Sequence, residues 1–416
     1  MKIAMVSEHA SPMAVLGGAD AGGQNVHVAE LARELGARGH EVAVYTRRTS
    51  EEQPGTAEFA PGVRVHHVPA GPPHEIAKDR LPEYMPAFGA YLAAQWAHDA
   101  PDIVHAHYWM SGLAALQGAA DIQAPVMQTF HALGTVKRRH QGPHDTSPRE
   151  REEAELSIAN RCAGVIATSV EERRELRSWG VPGERIDVVP CGVDAERFRP
   201  AGAVAERGDR PRVLSLGRLV PRKGVDTIVR AMAAVPEAEL VVAGGPPSEA
   251  LDADPETARL RAIAEQAGVA DRVRFIGCVA RADVPALLRS ADIAVNVPWY
   301  EPFGMSTIEA MACGAPVIAS SVGGHLDTMI QNVTGRLIPP SDPRTLAFWV
   351  RTLLADPVLK ESYGIAAADR AAARYTWPLV ARQTEDRYTR VLLRHHGGQE
   401  PGSRSQARHA VVSGGA

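Results

Sequence analysis

Short apolar runs alternate along this chain with longer stretches whose apolar positions recur every three or four residues. Lys2 to Ser7 is such a run and predicts a buried strand. Asn25 to Arg38 follows with helical spacing: Val28, Leu31, Ala32 and Leu35 share one face, and Gly39 stands at its end. Strands are predicted next at Glu41 to Thr46, Val63 to Val68, Asp102 to His107, Val126 to Phe130, Val165 to Ser169 and Ile186 to Val189, most of them separated by helical stretches. That alternation predicts an α/β fold with a doubly wound parallel sheet.

The pattern then breaks. Phe198 to Pro211 is polar, carries Pro and Gly, and has no period, as expected of a connection between domains. A second series follows, with strands at Arg212 to Gly217, Leu240 to Ala243, Val273 to Ile276, Ile293 to Val297 and Val317 to Ala319. Leu379 to Leu393 predicts one more helix, long enough to reach back to the first domain. The expected organisation is an αβα domain over 1–198, a linker over 199–211 and a second αβα domain over 212–376. A crossing helix over 377–394 and a disordered Gly/Ser-rich tail over 395–416 complete it. Two such Rossmann-like domains face each other across a cleft, with ligands beyond the C-terminal strand ends.

Composition narrows the function. The 416 residues are 45% apolar and 23% charged, ordinary for a soluble globular protein. A net charge of −4 argues against general nucleic-acid binding. No apolar run approaches the about 20 residues that span a bilayer, so no integral membrane association is expected. The N-terminal run is too short for a signal peptide. Cys162, Cys191, Cys278 and Cys313 lie at no metal-ligand spacing and are expected as reduced thiols, which fits a cytoplasmic enzyme. The basic patch Lys137-Arg-Arg-His140 is expected to be a phosphate-facing or solvent-facing loop.

The densest chemistry lies in Glu301-Pro-Phe-Gly-Met-Ser-Thr-Ile-Glu309. A tight turn follows a buried strand and opens a helix, so its backbone N–H groups suit an anion. Glu301 and Glu309 can each accept hydrogen bonds from vicinal hydroxyls. One polyhydroxylated ligand with a phosphate in its middle satisfies both, which points to a nucleotide-sugar. Gly217-Arg-Leu-Val-Pro-Arg-Lys-Gly224 ends the first strand of the second series. Arg218 as a planar fork and Lys223 as a point charge suit a diphosphate. Gly17 to Asn25 is a glycine-rich loop after the first strand, without a complete dinucleotide fingerprint. His131 ends a strand and is expected to face the cleft, whereas His105 and His107 are expected as satisfied core residues. Asp252-Ala-Asp254 sits in a polar connector and is expected to be solvated surface, so no metal site is predicted.

With these motifs in hand, residues 1–394 resemble the retaining glycosyltransferases of family 4, which have the two-domain GT-B fold. The segments that carry the resemblance are Glu301-x7-Glu309 with Pro-Phe-Gly, Gly217-Arg-Leu with Lys223-Gly, and Val189-Pro-Cys-Gly-Val-Asp194. The resemblance implies Glu309 on the ribose, Glu301 on the donor sugar, and Arg218 and Lys223 on the diphosphate. It implies backbone contacts from Gly217, Phe303, Gly304, Met305 and Ser306, and a nucleobase against Gly277 to Val279. His131 would meet the transferring sugar, and the loop at Gly22 and Gly23 would close over phosphates and acceptor.

Within the family, Asp20-Ala-Gly-Gly-x-Asn25, Lys78-x-x-Leu-Pro82, His107-Tyr-Trp109 and Arg151-x-x-x-Glu155 are similar to the actinobacterial enzymes that join N-acetylglucosamine to inositol phosphate. That similarity implies Asn25, Lys78, Tyr108 and Arg151 as acceptor contacts, with Arg149 as a rival to Arg151. Gln24 and Ala132 depart from the subgroup's Met and Thr, and Gly-Gly-Gln is also similar to sucrose-phosphate synthases. The implied co-substrate is a UDP-sugar, with GDP as the alternative and no further cofactor. The expected acceptor is a small hydroxylated molecule, with or without a phosphate, and the protein a monomer or homodimer. A nucleotide-sugar epimerase and a non-catalytic binder are the rival classes; the first would yield an isomer, the second no turnover.

Overall fold

A computed structural model describes residues 1–14 and 22–397. The tail from 398, and Gly17 to Ala21 of the glycine-rich loop, lie outside the described residues.

The apolar runs form two sheets. In the first, β1 (Lys2–Val6), β2 (Glu41–Arg47), β3 (Thr56–Ala60), β4 (Val63–Val68), β5 (Ile103–His107), β6 (Val126–Thr129), β7 (Gly164–Ala167) and β8 (Ile186–Val188) lie in the order β3-β4-β2-β1-β5-β6-β7-β8. In the second, β9 (Arg212–Leu216), β10 (Glu239–Ala243), β11 (Val273–Gly277), β12 (Ile293–Asn296), β13 (Val317–Ser320) and β14 (Arg336–Ile338) lie in the order β11-β10-β9-β12-β13-β14. All paired strands are parallel except β3, which runs antiparallel to β4 at the edge. Strand β3 is not among the predicted strands. Thr56–Ala60 is half-exposed throughout, so it carries none of the continuous apolar character that marks a strand buried on both faces.

The strand order reverses at β1, which pairs with both β2 and β5, and again at β9, which pairs with both β10 and β12. A parallel sheet opens a crevice at such a point, beyond the C-terminal strand ends. The predicted Gly217 to Gly224 loop leaves β9 there, and the Glu301 to Glu309 turn leaves the neighbouring β12.

Helix Trp377–Gly397 lies against helix Gly23–Ala37 of the first sheet. Glu385 pairs with Arg38, and the Tyr388 hydroxyl meets His105 Nδ1 at 2.6 Å. The two chain segments that connect the sheets run side by side, with Val193 bridged to Thr376 in parallel. Trp377 is 2% exposed and packs flat on Gly192; a Cβ there would lie 2.5 Å from the indole. Only glycine admits that contact. Buried apolar residues run without a break from β1 through Val189, Cys191, Phe198 and Trp377 to the helix Met305–Ala312. Residues 199–211 form no helix or strand; Arg289 ties them down through the carbonyls of Arg199 and Ala203. No helix among the described residues is long and apolar enough to cross a membrane.

Candidate active site

The crevice beside β9 and β12 gathers the charged half of the site. After β12 the chain turns through Trp299, Tyr300, Glu301 and Phe303 into helix Met305–Ala312. Gly304, which caps that helix, holds φ at 100°, and a Cβ on it would come within 2.8 Å of the His325 ring. Asn296, the last residue of β12, donates to Ser306 Oγ at 3.1 Å and Thr307 Oγ1 at 2.9 Å. This locks the strand end to the first helical turn. The N–H groups of Met305 and Ser306 then lie at the helix end, where no intrahelical acceptor reaches them. His325 supports the turn from behind, contacting Thr307 Oγ1 at 3.0 Å and the Ser320 carbonyl at 2.9 Å.

Glu301 is nearly buried and forms an ion pair with Lys223. Burial alone would push its carboxyl up. Lys223, His325 and Arg222 outweigh that and hold it down at about 2. Lys223 sits on the turn Pro221–Lys223, which Trp299 fastens by donating to the Arg222 carbonyl at 2.9 Å. Arg218 is exposed just past β9, with Gly217 between them, and adds to the burial that lowers the Lys223 ammonium. Glu309 is 4% exposed and accepts from Arg281 at 2.6 Å. Arg281 lies over the Phe198 ring at 4.5 Å. Gly277 ends β11 and accepts from the Gly244 N–H at 2.7 Å, with Val279 half-buried beyond it.

The crevice beside β1 and β5 supplies the facing half. Gly22 caps helix Gly23–Ala37, and its N–H donates to Asn25 Oδ1 at 3.0 Å. Asn25 in turn donates to the Ser11 carbonyl at 3.1 Å. Gln24 turns inward, to Ser7 Oγ at 3.3 Å and the His107 carbonyl at 3.2 Å. A Cβ on Gly23 would come within 3.2 Å of Met305 Cγ, so the two crevices face each other at this point.

Tyr108 holds a left-handed backbone, φ 81°, directly after β5. Lys78 Nζ stands 3.9 Å from its ring centroid and the Arg151 guanidinium 5.0 Å. The two cations differ. Lys78 is half-buried, whereas Arg151 is 2% exposed. Arg151 gives Nε to Glu155 at 2.7 Å, Nη1 to Ser147 at 3.2 Å and Nη2 to the Ala132 carbonyl at 2.6 Å. Its rival Arg149 is exposed. His131 sits at φ 62° with Nε2 3.1 Å from His107 Nδ1. Burial and the neighbouring rings lower both imidazoles well below their ordinary value, so both are neutral near pH 7.

The expected satisfied core histidines separate. His105 contacts Tyr388 and the Thr129 hydroxyl, whereas His107 Nε2 is buried with no partner among the described residues. The basic patch is neutralised locally: Lys137 pairs with Asp145, Arg138 with Glu152 and Arg139 with Glu175, at 2.8, 2.9 and 2.8 Å. Asp254 is an N-cap rather than solvated surface, accepting from Thr257 N–H at 2.8 Å.

The sequence reading missed Arg281, His325, Asn296 and a group near Tyr108. In that group Glu8 is 1% exposed and bonds the Ser111 hydroxyl, and His9 Nδ1 at 2.5 Å. The His9 ring meets the Tyr108 ring at 5.0 Å. Asn296 ends β12, and Glu8 and Arg281 follow the ends of β1 and β11, positions that could have flagged them. Nothing local marks His325.

Two facing Rossmann-like sheets, with an anion-ready helix end and a carboxylate–ammonium pair between them, define a GT-B-type glycosyltransferase. Residues 21–197 match the family described as Glycosyltransferase Family 4, and residues 199–370 match Glycosyl transferases group 1. The chain is 37% identical to D-inositol 3-phosphate glycosyltransferases of Kineococcus radiotolerans and Xylanimonas cellulosilytica. The matches cover 94% of this chain in each case, and 95% and 97% of the relatives. It is 33% identical to the solved sucrose-phosphate synthase of Thermosynechococcus elongatus, with TM-score 0.86 over 94% of this chain and 99% of that one. The Anabaena HepE structure in complex with UDP and glucose shares the fold at 20% identity and TM-score 0.72, over 94% and 99% of the two chains. The chain therefore belongs to the family-4 glycosyltransferases and is an enzyme of sugar transfer; a nucleotide-sugar epimerase is the weaker reading.

Proposed function

We propose that the protein transfers a sugar from a UDP-sugar to inositol phosphate, with retention at the anomeric carbon. The observation that carries this reading is the opposition of two clusters: Lys223–Glu301 beside the Gly304 helix end, and Lys78 over Tyr108 across the cleft. The first suits a diphosphate joined to a sugar, the second a phosphorylated polyol. The relatives named for inositol 3-phosphate support the acceptor.

In this reading the diphosphate enters and takes Lys223 from Glu301. The freed carboxylate accepts from a hydroxyl of the donor sugar. Glu309 exchanges Arg281 for the ribose hydroxyls, and the base lies along Gly277 to Val279. As the glycosidic bond breaks, negative charge grows on the leaving diphosphate. Arg218, Lys223 and the N–H groups of Met305 and Ser306 are preorganised to receive it. The acceptor hydroxyl attacks from the face the diphosphate leaves, and a phosphate oxygen takes its proton. Lys78 meets the acceptor phosphate and Asn25 its hydroxyls. Arg151, turned inward by three hydrogen bonds, backs the Tyr108 ring. Closure of the Gly22 and Gly23 loop excludes water.

A second reading has specific support. Gln24, Ala132 and the likeness to sucrose-phosphate synthase favour a phosphorylated sugar as acceptor. The test measures nucleotide release from UDP-N-acetylglucosamine, UDP-glucose and GDP-mannose, with inositol 3-phosphate or a hexose phosphate, and weighs the products. A coupled sugar–inositol phosphate supports the first reading and a disaccharide phosphate the second. An isomerised donor with no coupled product would refute both.

A further inference from the structure

The His107–His131 contact has an internal logic that extends the proposed reaction. His105 and His107 alternate on β5 and so share a face, their rings 4.1 Å apart. His107 lies near-parallel to His131 at 5.3 Å, and His27 is tilted to the first at 5.6 Å and edge-on to the second at 5.0 Å. Trp377 closes the group against His27 at 5.5 Å. His105 is anchored at both nitrogens, by Tyr388 at 2.6 Å and Thr129 at 2.9 Å. The stack is therefore fixed from the crossing helix inward, and His131 is its outermost ring.

Between His107 Nδ1 and His131 Nε2, 3.1 Å apart, a hydrogen bond needs one donor and one acceptor. Each neutral imidazole carries one proton. If His107 carried its proton on Nε2, a buried N–H would point at no acceptor among the described residues. Orphaned buried N–H groups are rarer in proteins than orphaned acceptors. Placing that proton on Nδ1 uses it on His131 and leaves only a bare lone pair buried. His131 Nε2 then accepts, and its own proton sits on Nδ1, the nitrogen left for a ligand.

We propose that His107 is a positioning residue: by donating from Nδ1 it fixes His131 in the Nδ1–H tautomer and makes it a hydrogen-bond donor toward the transferring sugar. The left-handed backbone of His131 (φ 62°) is a conformation that persists only where the surroundings impose it, and the stack supplies that constraint. The tautomer assignment stands on the 3.1 Å contact and on both rings being neutral, and does not need the proposed reaction. Only its consequence for transfer rests on the function proposed above.

The test has two arms. The full chain is labelled with ¹⁵N-histidine and two-bond ¹H–¹⁵N spectra are recorded near neutral pH, with His131 assigned by loss of its signals in His131→Gln. The expected result is a proton on Nδ1 of both His131 and His107. A proton on His131 Nε2 overturns the proposal, whether or not the enzyme turns over. The kinetic arm compares His107→Asn, which keeps a donor at the δ position, with His107→Leu, which does not. The expected result is a fall in kcat of about tenfold for Leu, the rate equivalent of one hydrogen bond, with donor KM within about twofold and recovery in Asn. Equal losses in Asn and Leu would mean that the ring's volume matters rather than its donor, and would also overturn it. An unmodified enzyme that couples no sugar to inositol 3-phosphate or a hexose phosphate refutes the proposed function alone; the spectra still decide the tautomer.

Discussion

Replacing His27 by Phe isolates one buried proton-binding site and should make the fold less sensitive to acid. His27 is 4% exposed, its Nδ1 has no partner among the described residues, and burial lowers its pKa from 6.5 to about 4. The unfolded chain thus takes up a proton below about pH 6.5 that the folded chain refuses until about 4. The sign follows from linkage: stability rises with pH, and so falls on acidification, wherever the unfolded state holds more protons. This group's contribution is intact above 6.5, shrinks as acid is added, and stops changing below about 4. From about pH 7 to about pH 5 the loss is about 2 kcal/mol for this one imidazole. His105, lowered to about 3, loses a similar amount over the same interval. His107 and His131 move in the same direction. Against a total stability of about 5–15 kcal/mol, the group makes mild acid a strong perturbant. Phe is larger than the imidazole it replaces, so stability at neutral pH should fall by about 1–3 kcal/mol, a term the double difference removes. Urea unfolding followed by circular dichroism, at both pH values, gives the double difference. The loss on going to about pH 5 should be about 2 kcal/mol smaller in His27→Phe than in the parent chain. An unchanged loss would refute the view that His27 is held neutral by burial.

Other substitutions probe the remaining contacts. Glu309→Ala should weaken UDP about 10–100-fold in calorimetry, the value of hydrogen bonds to a charged group, and unchanged affinity would remove Glu309 from the ribose site. Glu301→Ala should lower kcat at least about tenfold with UDP affinity within about threefold, because its hydroxyl contact acts on the sugar; a pure affinity loss would reverse the two assignments. Gly304→Ala should cost about 2 kcal/mol in thermal or urea unfolding, since φ 100° and the His325 ring both oppose a Cβ, and an unshifted transition would contradict that turn. Tyr388→Phe removes the 2.6 Å contact to His105 and should cost about 1 kcal/mol; parental stability would mean that His105 is anchored by Thr129 alone.

What the chain disclosed on inspection was mostly one-dimensional. Strands such as Ile103–His107, buried at every position, announce themselves as apolar runs. Thr56–Ala60 and Arg336–Ile338 do not, being edge strands of 5 and 3 residues in which only Ile338 is buried. Glu301 and Lys223 were each legible as ligand groups, but their mutual pairing spans 78 residues and only the β9–β12 neighbourhood creates it. Arg281 looks like surface charge until Glu309 is placed beside it. Arg151 is the reverse case. The Glu155 four residues on was visible, and such a spacing on a helix favours an ion pair, which here turns the guanidinium inward. The histidine group draws on a helix, a strand and a loop, so alternation revealed only its His105–His107 half.

The helix that completes the first sheet's surface comes after the whole of the second sheet in the chain. Tyr388 and Glu385 reach His105 and Arg38 across 283 and 347 residues. During synthesis, β1 to β8 and their helices leave the ribosome with the groove beside Gly23–Ala37 uncovered. The second sheet can fold as a unit before that groove is filled. The first sheet therefore waits on the second: its apolar flank needs shelter until Trp377 and Tyr388 arrive.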